Sequence, residues 1–144
     1  MLKAIKKRMK DQRGLTLVEL LAVIVILGII AAIAVPSIGN IVEKSKADAI
    51  KAEALQIIDA ARLYSIETPI TAAGIDESVL EPKYLDSTDN FNEYTVSYVG
   101  NKLLLTGDGI NGSVEIKFNN ASKDAISEDN GSGSRTIPAP PASN

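Results

Sequence analysis

Glu19 is the residue whose setting most demands chemistry. It is the only ionisable side chain between Arg13 and Glu43, and the sixteen residues that follow it, LLAVIVILGIIAAIAV, carry no polar group. A carboxylate in such a stretch costs a few kcal/mol in lipid and marks function when it is retained. It closes the run Gly14-Leu15-Thr16-Leu17-Val18-Glu19-Leu20. One purely local reading is a capping box, in which Thr16 caps a helix and Glu19 reaches back to the cap amide. That accounts for the T-x-x-E spacing but not for a carboxylate kept inside an apolar segment. Other chemistry is excluded by inventory. With no cysteine and no histidine, disulfides, Cys/His zinc sites, thiol nucleophiles and imidazole-based triads are all ruled out. No spacing of Ser, Lys or carboxylates pairs a nucleophile with a base, so the reading is not an enzyme, with no cofactor.

The element that must carry Glu19 is long. Residues 15–42 would span about 42 Å as a helix at 1.5 Å per residue, more than a hydrocarbon core of about 30 Å requires. A soluble core helix of this length would show a polar face, and none appears before Asn40. Ahead of it, residues 1–14 hold six basic groups, Lys3, Lys6, Lys7, Arg8, Lys10 and Arg13, against Asp11. They therefore sum to +5 and leave −8 for the rest of a chain whose net charge is −3. That asymmetry keeps the N-terminus in the cytoplasm and predicts a single pass with the remainder outside. A secretory signal would be cut after the apolar run at a small-x-small site, which Ala32, Ala34 and Ser37 match poorly. The acidic balance beyond the leader argues against a nucleic-acid-binding domain.

Taken together, the basic leader, Gly14, the Thr-Leu-Val-Glu run and the uninterrupted apolar helix resemble the N-terminus of the type IV pilin and pseudopilin family. The resemblance covers the first third of the chain and is loose beyond about residue 65. It implies that a prepilin peptidase cuts after Gly14 and methylates the new amine of Leu15, which stands where the family usually has Phe. It also implies that Glu19 is the family's invariant acid, and that Gly28 and Pro36 match a glycine and a proline of its membrane helix. Cleavage would create an α-ammonium on Leu15 with a reference pKa of about 8. Glu19, one helical turn away, is the only acid in the segment to face that cation. In the family the pairing is with a neighbouring subunit's amine, which sets axial register more than net stability, since buried ion pairs barely offset desolvation. Pro36 removes a backbone donor and crowds the carbonyl of Ala32, so a helix kink is expected at Gly28 and Pro36; the resemblance implies that this stretch loses its helical hydrogen bonds in the fibre.

Beyond residue 42 the pattern becomes amphipathic. Ala47, Ile50, Ala54, Ile57, Ala61 and Tyr64 recur at steps of three and four, with Lys44, Lys46, Lys51, Glu53 and Arg62 mostly off that stripe. The stripe predicts a half-helix over 43–67 that packs on the chain's own sheet, and Thr68-Pro69 stops it. Residues 68–93 read as loop, with a short helix from Asp76 to Leu80 and a turn at Glu81-Pro82. Alternating runs at 94–99, 102–106 and 114–118 predict three strands. Gly100-Asn101 reads as a tight hairpin and the run GDGING as a longer turn.

The expected fold class is therefore α+β: a long N-terminal helix packed on a small three-stranded antiparallel sheet, followed by a disordered tail. Its parts are a leader (1–14), a membrane and fibre-core half-helix (15–42), an amphipathic half-helix (43–67), a head (68–118) and a flexible tail (119–144). The tail is rich in Gly, Ser, Pro and Asn and lacks periodicity. In many relatives a C-terminal disulfide secures this region. None can form here, a weak pointer to a Gram-positive host. Secretion pseudopilins of this family bind calcium in the head. Here Asp86-Ser87-Thr88-Asp89-Asn90, Asp108 and Glu128-Asp129-Asn130 offer oxygens, but none fits the D-x-[DN]-x-[DN]-G loop, and they read as solvated turns, so no metal is assigned. Lys83, Lys102 and Lys117 could form a basic patch only against the head's acidic balance. Tyr64, Tyr84, Phe91, Tyr94, Tyr98 and Phe118 read as core and interface residues.

The expected function is a prepilin, the structural subunit of a surface filament. Its partners would be copies of itself, a prepilin peptidase, the pilus assembly platform and its ATPase, and the cytoplasmic membrane before assembly. A pseudopilin of a type II secretion or competence apparatus would use the same chemistry in a shorter fibre. A single-span anchor displaying a binding module would never polymerise, and its N-terminus would remain uncut at Gly14.

Overall fold

A computed structural model describes residues 2–138, with side chains from Thr16 onward. The tail's residues 139–144 lie outside the described residues, as do the side chains at Gly14 and Leu15. The chain divides into two compact units, Met1–Asn40 and Ile41–Asn144.

Helix α1 (Leu2–Glu67) passes through both and contains Pro36. Its leader segment, with four Lys, two Arg and two Met, consists largely of good helix formers. The helix ends where expected: Thr68 N–H donates to the Tyr64 carbonyl at 2.9 Å, and Pro69 has no donor with which to continue.

In the second unit the elements after α1 are β1 (Ile75–Asp76), α2 (Glu77–Leu80), β2 (Phe91–Val99), β3 (Lys102–Asn111), β4 (Val114–Ser122), α3 (Lys123–Glu128) and β5 (Arg135–Ile137). The architecture is α+β, as expected, and the sheet has five strands in sequence order rather than three. The extra strands, β1 and β5, have two and three residues, too few for alternation to show. β1 pairs antiparallel with β2, and β5 pairs parallel with β4. The expected tail is a second correction. Residues 119–122 complete β4, α3 follows with Ser122 as its N-cap, and Ile126 and Ile137 are buried. Gly, Ser and Asn are frequent in that stretch, yet Ile126 and Ile137 within it reach the core.

The core forms as the helical stripe predicts. Ala47, Ile50, Ala54, Ile57 and Ala61 are wholly buried and cluster with Val96, Leu105, Val114, Ile116 and Phe118 of the sheet. Alanine at every seventh position lets the sheet approach the helix closely, while Ile50 and Ile57 fill the space between. Tyr64 is half-buried, edge-on to Tyr84 at 5.5 Å between ring centres. Phe91 stacks at a tilt on Phe118, also at 5.5 Å. Tyr98, by contrast, is exposed and donates to Asn101 Oδ1 at 2.6 Å.

The hairpin at Gly100-Asn101 is present, with φ of 57° and 66°, and pairs Val99 with Lys102. The GDGING run is a third correction. Gly107 to Asn111 belong to β3, and the turn is only Gly112-Ser113, between paired Asn111 and Val114. Gly109 is in the strand because of space: a Cβ there would overlap Ile50 Cγ2 and fall 3.0 Å from Phe91 Cζ. Glycine marks close approach here and not a bend.

Candidate assembly segment

The backbone of Gly14 and Leu15 lies inside α1, with Thr16 and Glu19 on the following turn. Because α1 begins at Leu2, Thr16 is well inside the helix, and the capping-box reading does not apply to the uncut chain. Glu19 is exposed and forms no salt bridge among the described residues. A rise of about 6 Å separates it from Leu15 along the axis.

From Leu17 to Val42, sixteen large apolar side chains are 44–72% exposed. They lie all round the helix, so no single partner face could cover them. Fully burying such a side chain is worth about 1.5–3 kcal/mol. Even half of that, summed, is on the order of 10–20 kcal/mol, comparable to the whole stability of a domain. The segment is long and apolar enough to cross a membrane, and lipid or the same surface of other helices would satisfy it. Gly28 and Gly39 leave open space beside the helix, with nothing within 4 Å of an added Cβ. Such gaps admit close helix contact.

Among its described residues the second unit holds no group of three or more His, Cys, Asp or Glu side chains placed to hold a metal ion. Its lysines are largely neutralised. Lys83 donates to Glu67 at 2.9 Å and to the Tyr84 hydroxyl at 2.8 Å, and Tyr84 donates to Glu67. The hydrogen bonds from Tyr84 and then Lys83 hold the Glu67 carboxyl below its ordinary range. Lys117 pairs with Glu115 at 3.2 Å, and Lys102 stands 3.8 Å from Asp124. One concave surface is lined by Asp76, Glu77, Glu93 and Asp108, which would repel a phosphate backbone.

Sequence reading missed one polar cluster. Lys51 on α1 and Arg135 on β5 both engage Asp129. Its only sequence trace is an acid and a base six residues apart in a Gly/Ser run, which says nothing of Lys51.

Residues 9–35 match the prokaryotic N-terminal methylation motif. That stretch contains Gly14, Leu15, Glu19 and Gly28 and stops one residue before Pro36. The type II secretion system core protein G of Escherichia coli is 31% identical over 119 residues, which cover 73% of this chain and 79% of that protein. The protein of the same name from Vibrio cholerae is 38% identical over 82 residues, 53% of this chain and 54% of its own length. The one from Pseudomonas aeruginosa is 31% identical over 87 residues, 58% and 61% respectively. The chain thus spans less than two thirds of the latter two relatives. No solved structure matched it.

Proposed function

Because this chain belongs to the type IV pilin and pseudopilin family, among the relatives of type II secretion system core protein G, we propose that it is a prepilin, the structural subunit of a type IV pilus-like filament. The observation that carries this reading is a helix apolar on every side, entered by a basic leader and holding a single carboxylate five residues after Gly14. A prepilin peptidase cuts after Gly14 on the cytoplasmic face and methylates Leu15, which keeps the cation. The precursor waits in the cytoplasmic membrane as a single pass with its N-terminus inside. The assembly platform and its ATPase then transfer it into a polymer of its own copies at the cell surface.

In lipid the Glu19 carboxylate lacks a cation. Docking beside a subunit that presents a free Leu15 amine supplies one, at a single axial offset. Packing of Leu, Ile, Val and Ala surfaces provides the association energy, because lipid tails are themselves apolar and water exclusion adds little. Pro36 and Gly28 weaken the helix locally, which gives the fibre core a place to bend. The names of the curated relatives favour a second reading, a pseudopilin in the short fibre of a secretion apparatus, with the same processing and pairing.

The test is mass spectrometry of the N-terminal peptide from sheared surface material. The expected peptide starts at a methylated Leu15, and a Gly14→Trp variant should accumulate as uncut precursor in the membrane. An intact Met1, or a cut beyond Pro36, in cells whose assembly machine is working would instead mark a plain membrane anchor.

A further inference from the structure

The turn from α3 to β5 is wrapped around a guanidinium. Arg135 Nε donates to both carboxylate oxygens of Asp129, at 2.9 and 3.0 Å, and Nη2 donates to the same group. Arg135 Nη1 donates to the Gly133 carbonyl at 2.7 Å. A Cβ on Gly131 would lie 2.6 Å from Arg135 Nε, so the loop backbone fits flush against the cation only as glycine. From α1, Lys51 Nζ donates to the Asp129 main-chain carbonyl at 2.7 Å and lies 3.8 Å from its carboxylate. The Lys51, Asp129 and Arg135 side chains are only 14%, 19% and 17% exposed.

We propose that Arg135, with Lys51, does in this loop what a bound divalent cation does in metal-clasped loops, so that the C-terminal part of the head is fastened without metal. A calcium ion would need six to eight oxygens from carboxylates, carbonyls and water. Four of the oxygen groups at this loop are already engaged. The Asp129 carboxylate and the Gly133 carbonyl face Arg135, the Asp129 carbonyl faces Lys51, and the Glu128 carbonyl accepts from Asn130 Nδ2 at 3.1 Å. A cation entering at Asp129 would also meet two fixed positive charges. The clasp secures β5, which pairs with Ile116–Phe118 and sends Ile137 into the core. Helix α1 and the turn before β5, 78 residues apart at Lys51 and Asp129, are thereby joined. Removing one member of such a partly buried cluster is severe because it strands the others' charge.

The test follows hydrogen exchange, read by mass spectrometry, over residues 129–137 of the full-length protein in detergent micelles, with calcium chloride or with EGTA. Wild-type protection should be the same in both. Arg135→Ala should speed exchange of the β5 amides by about tenfold or more, and calcium should not restore it. Arg135→Lys keeps the charge but loses the fork, and should fall between the two. The proposal is overturned if calcium slows wild-type exchange and Asp129→Asn abolishes that effect, which would make Asp129 a metal ligand. It is equally overturned if Arg135→Ala leaves β5 as protected as before.

Discussion

A lone carboxylate beside sixteen consecutive apolar residues is held there against a cost of a few kcal/mol in lipid, and nothing else at the residue scale separates a fibre subunit from an inert anchor so directly. If Glu19 recruits a neighbour's amine, Glu19→Val should still be cut at Gly14 yet enter fibres poorly, with sheared-fibre yield reduced about tenfold or more at equal precursor level. Wild-type yield from that variant would remove its role. Glu19 was legible because its neighbours are apolar and the contrast is local. The Lys51, Asp129 and Arg135 cluster was not, although its residue types are equally plain. Its members are 78 and 6 residues apart in sequence, and only the folding of β5 onto β4 brings them together.

At the scale of elements, periodicity served the helix well and the strands only in part. The stripe at Ala47, Ile50, Ala54, Ile57 and Ala61 is the buried face of α1, because helical geometry ties spacing to face without reference to any partner. β3 and β4 run further than their alternation suggests, since glycines and asparagines occur inside them. In β3 the glycines mark close approach to neighbouring backbone and to the helix. At the end of β4, Asn120 has φ 52° at a register shift that Thr106 braces. The contact between Gly109 and Ile50 makes this testable. Gly109→Val should lower unfolding stability by about 1–3 kcal/mol through overpacking. In Gly109→Val/Ile50→Ala the combined loss should be smaller than the sum of the single losses, as read from denaturant midpoints. Strict additivity would show that the two residues do not share that space.

For the whole molecule, the division of charge and apolarity matters most. A +5 leader precedes an apolar unit, and the rest of the chain is acidic. Processing would remove the basic segment, leaving an acidic mature chain with an apolar surface and a new terminal cation. Such a chain suits a polymer whose heads meet water and whose helices meet each other. Electron microscopy of cells expressing the assembly machine at native level should show long surface fibres that carry this protein. Short fibres, or fibres only on overproduction, would move it to the secretion apparatus while leaving cleavage at Gly14 intact.

By itself the sequence determined what depends on local order: an apolar span with its one acid, the leader's charge, the helical stripe, the Gly100-Asn101 turn and the α+β class. Each rests on neighbours a few residues apart, where side-chain type alone sets face, turn or solvent preference. Tertiary structure alone decided the edge strands, the place of the β3 glycines and the cation clasp at Asp129. These depend on contacts between distant segments, whose worth arises only once the core has brought the segments together.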